Sequence, residues 1–118
     1  MDLQVQRLEN GIDRVRLVGR MDSAGVAAID DRLGAIAATG SARVLVDLSG
    51  VPFLASIGIR SLLTSARTLR RRGGAMALLG PQAVVEEVLR LTGIEAMIPI
   101  FHDLETASAA LKAPATSA

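Results

Sequence analysis

Ser56 stands where the loop Gly50-Val51-Pro52-Phe53-Leu54-Ala55 runs into a segment of helical periodicity. A serine in that place has two chemical uses. It can cap the helix, its hydroxyl accepting a backbone N–H of the first turn. It can also accept a phosphate, which at a helix start meets the positive end of the dipole and free N–H groups. The two are compatible, because a cap can also be a switch. A phosphate adds about −1.5 to −2 charges, enough to repel a partner from an otherwise apolar surface. Nothing equips Ser56 as a nucleophile. His102 opens the last helix and could approach, but Gly50-Val51-Pro52-Phe53-Leu54-Ala55-Ser56 is no G-x-S-x-G elbow.

Asp47 ends an apolar run, as the phosphoacceptor aspartate of a receiver domain does. Such a site needs further carboxylates for Mg²⁺ and a late-strand Lys, and the chain has neither in place. Asp47 is therefore expected to fix its loop by accepting backbone N–H groups. Asp22 reads as a cap or turn residue first and a contact residue second. Arg60, Arg67 and Arg71 share one helix face, expected to be solvated, with docking of an acidic partner the lesser alternative.

Missing residue types narrow the chemistry further. There is no Cys, one His and one Lys, Lys112, which excludes thiolate chemistry, Cys-based zinc sites and a P-loop. Tyr and Trp are absent and Phe occurs only at 53 and 101, leaving no stacking platform for single-stranded nucleic acid. The formal net charge of +1 gives no electrostatic footprint for nucleic acid. No catalytic residues, cofactor or metal are expected. No apolar run approaches membrane-spanning length and the N-terminal residues do not resemble a secretory signal, so a cytoplasmic protein without membrane insertion is expected. The 118 residues suit one domain, taken as a monomer, over 1–112, with a disordered tail over 113–118.

Elements of the order ββαβαβαβα must position these residues. Leu3 and Val5, then Val15 and Leu17, alternate about Asn10-Gly11, which predicts a hairpin of strands at about 2–8 and 12–19. Asp22 and Ser23 can cap a helix carrying Val26, Ile29, Leu33 and Ile36 inward. Residues 43–48 and 75–79 read as strands covered on both faces. Between them lies a helix over about 56–72, with Ile59, Leu62, Leu63, Ala66 and Leu69 inward. Gly80-Pro81 opens a helix expected to bury Val84, Val85, Val88 and Leu91. Residues 98–101 read as an edge strand because of Pro99, and Asp103 caps a last helix to Lys112. Right-handed crossovers make the central strands parallel, so Asp22, the 47–56 loop and Gly80 should gather at their C-terminal edge.

The run Val44-Leu45-Val46-Asp47-Leu48-Ser49, its loop with Phe53, and Ala55-Ser56-Ile57-Gly58 resemble the central signature of STAS domains in the anti-sigma factor antagonist family. There a hydrophobic strand ending Asp-Leu-Ser is followed by Asp-Ser-Ser/Thr-Gly at a helix start. Gly19-Arg20-Met21-Asp22 resembles the family's Gly-x-Leu-Asp, and Val85 to Ile94 its late helix and turn. The resemblance spans about residues 3–112. It implies an α/β STAS fold, a mixed four- to five-stranded β-sheet with about four α-helices. It further implies a non-enzymatic antagonist that binds an anti-sigma factor/serine kinase, releases a sigma factor, and is reset by a PP2C-type phosphatase. Ser56 takes the phosphoacceptor position, and Asp22, Asp47, Ser49, Phe53, Ala55, Ile57, Gly58 and Arg60 the partner-binding region. Ala55 and Ile57 depart from the pattern, replacing the preceding Asp and the following Ser or Thr. They motivate an alternative, a non-phosphorylated STAS scaffold subunit of a transporter ATPase or signalling complex.

Overall fold

A computed structural model describes residues 1–112; the tail expected over 113–118 lies outside the described residues. Five strands run β1 (Asp2–Arg7), β2 (Asp13–Val18), β3 (Arg43–Gly50), β4 (Ala75–Leu79) and β5 (Ile100–Phe101). They pair in the order β1-β2-β3-β4-β5, antiparallel at the first pairing and parallel at the others. The helices are α1 (Ser23–Thr39), α2 (Ser56–Arg71), α3 (Ala83–Leu91) and α4 (Leu104–Lys112), with a 3₁₀ turn at Ile94–Ala96. Among the described residues no helix is long and apolar enough to cross a membrane. The chain has the expected α/β architecture, a mixed five-stranded sheet with four α-helices.

The alternation of β2 and β3 sorts the core. Val15, Leu17, Val44, Val46 and Leu48 face one side, where Ile29 and Leu33 of α1, Leu62 and Leu69 of α2, and Val85 and Leu89 of α3 cover them. On the other side α4 sets Ala107 and Leu111 against Leu45, Ala77 and Leu79. Strand β1 is an edge, and Arg32 of α1 donates to its Leu3 carbonyl at 2.9 Å, occupying one acceptor that another strand could use.

Four expectations need correction. In the hairpin only Gly11 has positive φ, at 81°. Gly11 N–H donates to the Leu8 carbonyl and Leu8 N–H to the Ile12 carbonyl, so the connection is a longer turn closed by a left-handed glycine, not a two-residue Asn-Gly turn. In α3, Val85 and Leu89 are the buried residues, Val88 is half-buried, and Val84 and Leu91 are 63% and 81% exposed. Val84, Val88 and Leu91 form a second stripe, and a nine-residue helix on a sheet can bury only one. Strand β5 spans two residues because Pro99 contributes only its carbonyl, which accepts from Leu78 N–H at 2.9 Å. In α1, Ile36 is half-buried and Ala37 takes the inner place.

Asp13, 4% exposed, ties three segments together. One carboxylate oxygen accepts from Arg7 Nε at 2.5 Å and the other from Ser41 N–H at 3.0 Å, joining β1, β2 and the α1–β3 turn. Burial favours the neutral acid, but the hydrogen bonds from Arg7 and Ser41 outweigh it and hold the carboxyl below the usual range. Its stabilising effect is therefore full above the ordinary value of about 4 and is lost as pH falls through the lower folded value. Asp13→Asn keeps one acceptor for two donors and is expected to lose about 1–3 kcal/mol at pH 7 by urea unfolding. That difference from wild type should narrow below pH of about 4; an unchanged difference at low pH contradicts the assignment.

Helix α2 seats on the sheet through Gly58. A Cβ there would lie 2.7 Å from Leu54 Cδ1, 2.8 Å from Met21 Cγ and 3.2 Å from the Met21 carbonyl oxygen. Overpacking of this kind costs about 1–3 kcal/mol, more than the roughly 1 kcal/mol that alanine gains over glycine in a helix. Gly58→Ala should therefore be less stable than wild type in urea, and a gain in stability would show that the contact yields.

Candidate functional site

Beyond the sheet, the segments leaving β2 and β3 stay paired. Gly19 N–H donates to the Gly50 carbonyl at 2.9 Å and Met21 N–H to the Phe53 carbonyl at 2.9 Å. The Met21 carbonyl accepts from Ala55 N–H at 3.1 Å, and Met21 bridges Leu54 in parallel fashion. Both of these side chains are buried. Alternation then puts Arg20, Asp22, Phe53 and Ala55 on the opposite, outer side of the strip. Ser56 follows at once.

Asp22 caps α1, its Oδ1 accepting from Gly25 N–H at 2.9 Å, while Oδ2 lies 3.4 Å from Arg20 Nε. The Gly25 hydrogen bond, aided by Arg20, keeps this carboxyl below the usual range despite some desolvation. Its cap role is as expected. The Arg20 guanidinium carbon also sits 4.2 Å from the centre of the Phe53 ring, within cation–π range.

Helix α2 begins differently from the expectation for Ser56. The N-cap is Ala55, with extended φ −96° and ψ 169°, and no side chain caps the helix. Ser56 is the first helical residue, exposed, and its hydroxyl makes no hydrogen bond to a described residue. A missing cap costs about 1 kcal/mol, whereas each fully buried leucine such as Leu62 or Leu69 contributes about 1.5–3 kcal/mol. Packing therefore holds α2 without the cap. Ser56 is flanked by Phe53, 36% exposed, and Ile57, 38% exposed. Further along, Val26, Asp30, Ile57, Arg60, Ser61 and Thr64 line a groove between α1 and α2. In it, Ser61 Oγ donates to Asp30 Oδ1.

Asp47 lies beneath the surface, its side chain 3% exposed. Oδ1 accepts from Ser49 N–H at 2.9 Å and from Ser49 Oγ at 2.7 Å; Oδ2 accepts from Arg14 Nη2 at 2.8 Å. Burial pushes the carboxyl up, but Ser49 and Arg14 together bring it below the usual range. The expected loop-fixing role is what the geometry shows. The Ser49 carbonyl in turn accepts from Gln82 Nε2 at 3.0 Å, so Ser49 and Gly80 adjoin at the same edge. His102 is engaged elsewhere, 2.8 Å from Glu86 Oε1. Among the described residues no three His, Asp or Glu side chains converge as metal ligands.

The edge thus gathers Asp22, Ser49, Phe53, Ala55, Ser56, Ile57 and Arg60 at or near the surface, with Asp47 and Gly58 beneath it. Arg14, Arg20 and Gln82 escaped the sequence reading. For Arg20 a signal existed: it stands two residues before Asp22 across a buried Met21, the spacing of one strand face.

Residues 7–107 match the STAS domain family. BtrV of Bordetella bronchiseptica, named for an anti-sigma factor antagonist role, is 31% identical over 96 residues, covering 81% of this chain and 83% of BtrV. The crystal structure of an anti-sigma factor antagonist from Mycobacterium paratuberculosis superposes with a TM-score of 0.85 at 23% identity, over 95% of this chain and 94% of that one. Bacillus SpoIIAA in its phosphorylated form superposes with a TM-score of 0.70 at 21% identity, over 92% and 98% of the two chains. With the signature residues assembled at one edge, these matches settle the family: the chain belongs to the STAS-domain family of anti-sigma factor antagonists.

Proposed function

We propose that this regulator, not itself an enzyme, binds an anti-sigma factor/serine kinase and so releases a sigma factor, and that phosphorylation of Ser56 ends the binding. The observation that carries the proposal is the exposed, unpartnered Ser56 hydroxyl between two exposed apolar side chains, Phe53 and Ile57. The phosphorylated form of the Bacillus relative supports a covalent switch in the family. In this reading Asp22, Ser49, Phe53, Ala55, Ile57 and Arg60 form the contact surface, while Asp47 and Gly58 hold it from beneath. The protein acts as a cytoplasmic monomer.

The switch follows from desolvation. Burying Phe53 and Ile57 against a partner favours association, whereas a phosphate between them carries about −1.5 to −2 charges that an apolar contact cannot solvate. In the transfer, Ser56 Oγ bonds to the γ-phosphorus of ATP held by the kinase. The bond to the bridging oxygen breaks, ADP leaves, and the hydroxyl proton passes to a kinase base. A PP2C-type phosphatase hydrolyses the ester and restores the serine. Ile57 leaves Ser56 as the one hydroxyl at this helix start, so a single modified species is expected.

Incubation with the cognate kinase and ATP, read by mass spectrometry, should place one phosphate on Ser56. Ser56→Asp should weaken binding to the anti-sigma factor at least about tenfold, and Ser56→Ala should bind without being phosphorylated. An unmodified Ser56 together with undiminished binding by Ser56→Asp overturns the switch. Co-purification of a transporter ATPase in place of a kinase would then favour the scaffold reading suggested by Ala55 and Ile57.

A further inference from the structure

We infer that Arg20 receives the phosphate on Ser56 and leaves the Phe53 ring when it does so. This rests on Ser56 as the phosphoacceptor. The bridge between Met21 and Leu54, with the Ala55-to-Met21 hydrogen bond, locks residues 20–22 against residues 53–55. Arg20 stands level with Phe53, and Ser56 lies three residues farther along the neighbouring segment, roughly 10 Å away at about 3.3 Å per residue. An extended arginine and the phosphate-bearing serine side chain, reaching toward each other, together cover that offset.

The present partners of Arg20 are weak ones. Its Nε is 3.4 Å from Asp22 Oδ2, a long contact, and Asp22 gives its other oxygen to the α1 cap. Its stacking on Phe53 is solvent-exposed, where cation–π attraction is small. A phosphate offers a guanidinium paired, charge-assisted hydrogen bonds, which are stronger than either. Ala55 adds no carboxylate next to Ser56 in the chain, and the one carboxylate on this face, Asp22 opposite Ala55, is committed to the α1 cap and holds Arg20 only by the long contact the phosphate must outcompete. The other nearby cation, Arg60, stands one turn along α2 and faces the groove shared with Asp30. By taking Arg20, the phosphate changes the surface twice, adding charge at Ser56 and uncovering the Phe53 face.

The test uses the full chain with phosphoserine encoded at position 56, so no kinase is needed and failure here is distinct from failure of the kinase assay. Titration of the phosphate by ³¹P NMR should give a midpoint roughly half a unit lower in the wild-type background than in Arg20→Gln, the size expected of an exposed ion pair. Arg20→Lys should keep part of the shift, and Arg60→Gln nearly all of it. The Phe53 ring resonances should move on phosphorylation in the wild-type background and stay in place in Arg20→Gln. The Arg20 side chain is 60% exposed, so these variants should fold, as their Tm can verify. Equal midpoints for wild type and Arg20→Gln, or a larger effect of Arg60→Gln than of Arg20→Gln, overturns the inference.

Discussion

Met21 carries the constraint on which the edge depends. Its N–H and carbonyl reach Phe53 and Ala55, and its side chain is fully buried against α2. Through that one residue the parallel pairing of two segments resumes past the sheet, after shifts of register, up to the start of α2. The consequence is geometric. With Met21 and Leu54 turned inward, the residues on either side of them have to turn outward. The hydroxyl, the apolar ring and the carboxylate at this edge share a surface for that reason, although they come from segments some thirty residues apart in sequence.

Two buried carboxylates secure the opposite ends of this arrangement. Asp13 fastens the hairpin to the α1–β3 turn at the N-terminal end of β2, and Asp47 fastens the start of the β3–α2 loop. Each is ionised below the usual range because its hydrogen bonds outweigh burial. Both side chains lie beneath the surface. A buried aspartate at the end of a parallel strand thus serves here as a structural acceptor, its oxygens already committed.

Much of this was legible in the sequence, and the failures have physical reasons. Parallel β2, β3 and β4 followed from short apolar runs separated by helices, and the gathering of Asp22, Ser49, Ser56 and Gly80 followed from right-handed crossovers. The cap at Ser56 failed because cap preference alone cannot tell N-cap from first helical residue; the extended backbone of Ala55 decides it. Val84 and Leu91 were expected inside because α3 has two apolar stripes, and only tertiary packing selects Val85 and Leu89. Arg14 stayed hidden because its importance lies in a long-range partner, Asp47, that no local pattern reveals; the face Arg20 shares with Asp22 was readable, but its stacking on Phe53 was not.

A chain with one His, one Lys and no Cys has few side chains for catalysis, and the proposed switch asks for none. What the proposed switch needs is an edge held rigidly enough for one hydroxyl to decide whether a partner stays. The most direct test is a titration of the ¹⁵N-labelled chain with its cognate anti-sigma factor, following backbone amides. The perturbed amides should concentrate at residues 20–22 and 49–60. Perturbations centred instead on β1 and β2, where Gln4, Gln6 and Arg16 are exposed beside Arg14, or on the outer stripe of α3, would contradict the account.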